Sequence, residues 1–187
     1  LFTEQLQKKY PLLPIEEDGR LNDPRLRENF ILRVYAHHNF RHEVQAQPSL
    51  HNLIKFHSSY KYILMAHHQV LYRALGKMLA DIGDESIASL IERYFTGFMQ
   101  ALTKPASVRD QSNALLHILG YLKRSVSSES RIHMVSIINK YRLKKLALIT
   151  PLTLLSHYIE QHGSQYIREQ RYFNPYPEAL GLRNKIY

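Results

Sequence analysis

The sequence predicts an all-α protein, a single compact multi-helix domain of about seven or eight helices. Three observations carry this. Apolar residues recur at three- and four-residue spacing along most of the chain. The alternating pattern of a half-buried strand is absent. Segments with the helical period open on strong cap signals, such as Asp23-Pro24, Pro48-Ser49 and Thr150-Pro151.

Residues 1–10 read as the end of a helix, which Pro11 and Pro14 break. An acidic turn closed by Gly19 follows, and residues 1–22 together read as a linker or the remnant of a preceding domain. The first residue is Leu rather than Met, as expected of a piece of a longer chain. The helical domain spans 23–187. Its first helix starts at Asp23-Pro24 and runs to about Glu43, with Leu26, Phe30, Ile31, Val34 and Tyr35 as its apolar stripe and Glu28 in its early turns. The next starts at Ser49 and continues, bent near His68-Gln69, to Ala80; Gly76 would permit a close helix approach. A third runs from about Glu85 to Leu102, capped by Asp84 or Ser86, and buries Ile87, Leu90, Ile91, Tyr94, Phe95, Phe98, Met99 and Leu102. A fourth extends from Val108 or Asp110 to Arg124. Ser127 or Ser128 caps a fifth, with Ile132, Val135, Ile137 and Ile138 inside. Thr150 caps a sixth that buries Leu152, Leu154, Leu155, Tyr158 and Ile159. A short helix follows Gly163-Ser164, and the tail from Asn174 reads as mostly irregular.

With 187 residues, 44% of them hydrophobic, the chain can bury its own core. It has no Cys, which excludes disulfides, thiolate metal sites, iron–sulfur clusters and a Cys nucleophile within it. There is no signal peptide and no long apolar run, so a cytoplasmic location and no membrane partner are expected. The net charge of +9 is unevenly placed. Residues 104–187 hold thirteen Lys/Arg against five Asp/Glu, so nearly all the excess lies there. Clustered positive charge with interleaved Tyr is the footprint of a polyanion partner, most often nucleic acid.

Two polar stripes stand out. Along residues 56–68, His57, Lys61, Leu64 and His68 fall within about 40° of one another on a helix, flanked by Tyr60 and His67. Arg109, Asn113, His117, Gly120, Tyr121 and Arg124 fall within about 120° on the fourth helix. Apolar residues would pack there more cheaply. Either stripe could contact a ligand or form a polar network that fixes helix packing. His38 and His42 are four apart, a spacing that can hold a metal, but no third ligand is fixed and no metal is expected. Phosphate-binding, dinucleotide-binding, zincin and nucleophile-elbow motifs are absent, and no cofactor is expected. The remaining candidates for ligand or RNA contact are His57, Tyr60, Lys61, His67, Arg109, Asn113, His117, Tyr121, Lys123, Arg124, Arg142, Lys144, Lys145 and His157. His, Lys and Arg contact phosphate, Tyr stacks on a base and Asn reads a base edge.

Several separated motifs resemble the YbgA-like family of small bacterial and archaeal domains. They are Phe56-His57, Tyr60-Lys61, Met65-Ala66-His67, Pro105-Ala106, Asn113, His117, Gly120-Tyr121, Tyr141-Arg142, Pro151-Leu152, His157-Tyr158, Gln170, Tyr172, Pro175-Tyr176-Pro177 and Leu182-Arg183-Asn184. The stretch 2–22 is similar to the C-terminal end of a TudS-like desulfidase domain. That domain removes sulfur from thiolated pyrimidines with an iron–sulfur cluster on Cys ligands. A chain without Cys cannot carry that activity. The resemblance implies a helper domain for tRNA binding, beside a TudS-like desulfidase in cis or in trans.

Three expectations compete. The first is a non-catalytic tRNA-binding module. The second is a small-ligand binder or enzyme whose pocket gathers His57, Lys61, Asn113, His117 and Tyr121. The third is a structural partner with a large apolar patch near the Asp23 helix.

Overall fold

The computed structural model describes residues 2–187. Its α-helices are α1 (Phe2–Lys9), α2 (Pro24–Phe40), α3 (Leu50–His67), α4 (Gln69–Ala80), α5 (Ile87–Ala101), α6 (Val108–Gly120), α7 (Ser128–Arg142), α8 (Ile149–His162) and α9 (Gln165–Arg168). Among the described residues there is no strand.

The cap chemistry read from the sequence sets most helix starts. Asp23 Oδ1 accepts from the N–H groups of Arg25 and Leu26 at 2.8 and 3.0 Å. The hydroxyls of Ser49, Ser86, Ser107 and Ser127 cap α3, α5, α6 and α7 at 3.0–3.2 Å. The exception is α8. It begins one residue before Thr150, behind Leu148, without a side-chain cap.

α3 is the central element. It packs on α6 on one side and on α4 and α5 on another, and α7 and α8 continue outward from α6. Leu53, Phe56, Tyr60, Tyr62, Ile63, Leu64, Met65 and Ala66 are all buried on it. That set covers more than one stripe, as a helix enclosed on several sides requires. An aromatic cluster fills the space between α2, α3 and α5: the Phe56 ring lies 5.0 Å from Phe40, 4.5 Å from Tyr60 and 5.0 Å from Phe98. Such pairs add about 0.5–1.5 kcal/mol each beyond area burial.

Four expectations are corrected. The bent helix of residues 49–80 is two helices. His68 leaves the helical region (φ −156°, ψ 90°), and its Nδ1 accepts from the Leu71 N–H at 3.3 Å to start α4. The buried line of α2 is Asn29, Leu32, Ala36 and Phe40, joined by Glu28, whereas Val34 is exposed. The stripe is rotated because a polar interior receives Glu28. α2 also continues into a π-turn, Arg41–Gln45, closed by the Ala46 N–H on the Arg41 carbonyl at 2.9 Å. On α7, Met134, Ile138 and Tyr141 are buried, while Ile132 and Val135 face solvent. Finally, the tail is ordered. Two 3-10 turns, Glu178–Leu180 and Leu182–Lys185, meet at Gly181, whose φ of 56° suits glycine. Tyr172, Tyr176, Arg183 and Ile186 are buried.

Candidate functional site

The cations of the C-terminal half lie at the two ends of α7. Lys123 and Arg124 precede its start, and Arg142, Lys144 and Lys145 surround its end. Fifteen residues of helix separate the two groups by about 22 Å. Lys144 holds a left-handed conformation (φ 57°), which turns the chain sharply after α7. All five side chains are exposed. Of the thirteen Lys/Arg in residues 104–187, only Arg171 and Arg183 make ion pairs among the described residues, with Glu43 and Glu28. Arg109 is exposed on the first turn of α6 and likewise makes none.

Beside Lys123 and Arg124 stands a tyrosine cluster that joins α3, α6 and α9. Lys61 Nζ sits 5.5 Å from the Tyr62 ring centroid and 5.8 Å from that of Tyr166. The Tyr121 ring lies 5.5 Å from Tyr166 and 6.4 Å from Tyr62. Burial, then Tyr121, pushes the Tyr62 hydroxyl well above its ordinary pKa, and burial raises Tyr166 to about 12. Tyr121 goes the other way, lowered by the neighbouring Tyr62 hydroxyl and by Lys61. With 46% of its surface exposed, Tyr121 offers a ring and a hydroxyl to solvent.

The remaining candidates from α3 are built into the packing. His57 Nδ1 and the Tyr94 hydroxyl share a hydrogen bond of 2.9 Å, with the Tyr72 ring 6.2 Å away. Burial, then Lys61, holds His57 at about 4, so it is neutral. Gly76 lies against it: a Cβ there would stand 3.8 Å from Nε2. Tyr60 accepts from the Asn39 amide at 2.9 Å, and the Arg171 guanidinium covers its ring at 5.4 Å. Burial raises it to about 12. His67 is also kept neutral by burial. Its Nδ1–H donates to the Ile63 carbonyl at 2.8 Å, which leaves Nε2 as a buried acceptor without a partner among the described residues.

His57, Lys61, Asn113, His117 and Tyr121 therefore do not converge on one cavity. His57 faces Tyr94, Lys61 and Tyr121 meet over Tyr166, and His117 stands in solvent. Asn113 and His117 make no hydrogen bond to each other. The clefts between α8 and the tail, beside the α2 histidines, and between α6 and α7 are lined by none of these five. Near the α2 cleft, the His38 and His42 rings lie 4.2 Å apart, and no group of three metal-ligating side chains gathers among the described residues. One open apolar groove lies between α6 and α7, where Leu116, Ile132 and Val135 are exposed, and another lies beside the Asp23 helix, where Leu13 and Val34 are exposed.

What the sequence reading missed is a buried polar network that anchors the tail. Arg183 Nε meets Glu28 Oε1 at 3.2 Å, Tyr176 donates to the same oxygen at 2.8 Å, and Arg183 Nη1 donates to the Tyr172 carbonyl at 2.6 Å. The Tyr172 hydroxyl donates to Gln111 Oε1. Burial alone would make Arg183 less basic, but Glu28 together with Tyr176 and Tyr172 outweighs it, and the guanidinium stays charged. Glu28 had the look of an ordinary acid in the early turns of a helix. The tail residues carried a signal only as part of the family motifs.

This network floors a cleft of about 540 Å³ between α8 and the tail. Thr153, Ser156, His157 and Glu160 line it from α8, and Asn174, Glu178 and Asn184 from the tail. His157 Nε2 accepts from the Gln161 amide at 3.1 Å. No helix among the described residues is long and apolar enough to cross a membrane.

A family model described as a protein of unknown function, DUF1722, matches residues 61–177. The chain is 29% identical over 165 residues to the uncharacterized protein YbgA of Escherichia coli strain K12, which covers 88% of this chain and 98% of that protein. No solved structure gives a significant match. The match runs from the last two turns of α3 through α9, and so includes the basic ends of α7 and the tyrosine cluster. The chain belongs to the DUF1722, YbgA-like family.

Proposed function

We propose that this chain is a non-catalytic nucleic-acid-binding module, for tRNA, that serves a desulfidase acting on thiolated uridine. The observation that carries the nucleic-acid reading is the surplus of uncompensated cations: eleven of the thirteen Lys/Arg in residues 104–187 make no ion pair among the described residues. Exposed cations without carboxylate partners keep their charge free for phosphates and release counterions on binding. The exposed Tyr121, beside Lys61, Lys123 and Arg124, adds a ring on which an unpaired base can stack. The tRNA and desulfidase parts rest on the likeness of residues 2–22 to a TudS-like domain. The scatter of His57, Asn113 and His117 supports binding over catalysis.

The test is fluorescence anisotropy with labelled tRNA at several salt concentrations. Four to six phosphate contacts give a slope of log affinity on log salt of roughly −3 to −5. Charge reversal at Lys123, Arg124, Lys144 and Lys145 is expected to flatten that slope and weaken binding far more than reversal at Arg25 and Arg27. Absence of binding at low salt would sink this reading.

A further inference from the structure

The cleft along the outer face of α8 breaks the charge pattern of the C-terminal half. Two of that half's five acids, Glu160 and Glu178, line it. Its one cation, Arg183, is engaged by Glu28 at 3.2 Å and by the Tyr172 carbonyl at 2.6 Å. A phosphate seated inside would meet carboxylates and no available cation. The walls offer hydrogen-bonding groups instead. The side chains of Thr153, Ser156, Asn174 and Asn184 make no hydrogen bond to another described residue, and each amide supplies two donors and an acceptor. Phe173, Pro175 and Tyr176 add apolar faces. About 540 Å³ falls in the range that encloses a small ligand.

Cations return at the end of the cleft marked by Ile149 and Asn184. Lys144 and Lys145 closely precede Ile149, and Lys185 follows Asn184. The Leu148 N–H donates to the Ile186 carbonyl at 2.8 Å and holds the two segments side by side.

We propose that this cleft is a nucleoside pocket. It takes the uncharged base and ribose of an unpaired nucleotide, while Lys144, Lys145 and Lys185 at its end take the adjoining phosphate. The ligand suits the site's division of charge: a neutral, planar, hydrogen-bonding ring inside and an anion outside. The proposal rests on the nucleic-acid reading above for its source of nucleotides, and it gives that reading a second contact besides phosphate.

The experiment titrates uridine and uridine 5′-monophosphate into the ¹⁵N-labelled chain at low salt and follows the side-chain amides of Asn174 and Asn184 by NMR. Both amides are expected to shift saturably. The monophosphate is expected to bind about tenfold more tightly than the nucleoside, an advantage lost in Lys144→Glu/Lys145→Glu. Ser156→Trp and Thr153→Trp fill the cleft from α8 without touching the Glu28–Arg183 pair. Each is expected to abolish the uridine shifts, leave thermal melting nearly unchanged, and lower tRNA affinity about tenfold without abolishing it. The pocket is overturned if the asparagine amides stay still at millimolar uridine, or if both tryptophan variants bind uridine as the parent does. A chain that fails to bind tRNA at low salt yet keeps the uridine shifts overturns the nucleic-acid reading and retains the pocket for free nucleosides.

Discussion

Arg183→Met removes the guanidinium that ties the tail to α2. Both partners of the ion pair are 6% exposed, and they lie 155 residues apart in sequence. The substitution leaves the Glu28 carboxylate buried with the Tyr176 hydroxyl at 2.8 Å as its remaining donor, and it orphans the Tyr172 carbonyl that Arg183 reached at 2.6 Å. Breaking a buried pair from one side costs about 3–5 kcal/mol, most of it the uncompensated charge. For a domain of this size each kcal/mol lowers the melting temperature by about 2–4 °C, so a fall of roughly 6–20 °C is expected. Glu28→Leu/Arg183→Met removes the stranded charge and is expected to recover about 2 kcal/mol of the loss, since buried pairs often exchange for apolar groups at little net cost. Urea melts of the parent, both single variants and the double variant close the cycle. The reasoning is refuted if Arg183→Met lies within about 1 kcal/mol of the parent, or if the double variant is no more stable than Arg183→Met.

Two further outcomes follow from the same geometry. His57 is held at about 4 by burial and by Lys61, whereas an unfolded His titrates near 6.5; the unfolded state therefore takes up the proton first as pH falls. Stability is expected to decline between about pH 6.5 and 4, by up to about 3 kcal/mol from this ring. Urea melts across that window should show a shallower decline in His57→Gln, which keeps a partner for the Tyr94 hydroxyl, and an unchanged decline would assign the effect to His67 and His37. At the start of α2, Asp23→Ala removes two charge-assisted contacts to backbone N–H groups; a loss of about 1 kcal/mol is expected by thermal melting, and no change would mean that the tail, rather than the cap, fixes this end.

The fold was legible where one physical signal acted alone. Ser86 and Ser127 act as caps because a short hydroxyl beside a helical period has few other uses. The buried face of α5, apart from the exposed Ile87 at its start, followed directly from three-four spacing, since a single apolar stripe has only one core to meet. Legibility failed where two signals competed. On α2, the apolar Val34 and Phe30 suggested one face, but the ion pair with Arg183 required Glu28 inside and turned the helix toward Asn29, Leu32 and Ala36. Periodicity counts apolar residues and cannot register a buried charge whose partner lies 155 residues away. Ile132 and Val135 misled in the opposite sense: they carry the helical period of α7 on a face left open to solvent beside α6 among the described residues. Both polar stripes were overextended: His68 lies past the end of α3, and Tyr121 and Arg124 lie past the end of α6 at Gly120. For the residues that remain, helix angle alone does not say which neighbour each one meets. His57 turns to α5 while Lys61, four residues on, reaches over Tyr166 on α9.

That split separates structural cations from available ones. Arg183 and Arg171 are each engaged by a carboxylate and an aromatic ring, Arg183 by Glu28 and Tyr176, Arg171 by Glu43 and Tyr60. Both hold C-terminal segments against α2, its π-turn and α3, where a phosphate could displace them only by leaving the buried Glu28 or the exposed Glu43 carboxylate unpaired. Lys123, Arg124, Arg142, Lys144 and Lys145 have no such engagement. A polyanion gains their full charge without first breaking a contact. The same logic keeps the cleft beside α8 free of phosphate: its guanidinium is consumed by the floor, so the charge that a ligand senses there comes from Glu160 and Glu178. Under the proposed nucleic-acid reading, binding strength and selectivity reside in different places, the lysines at the end of α7 setting the first and the neutral walls of the cleft setting the second.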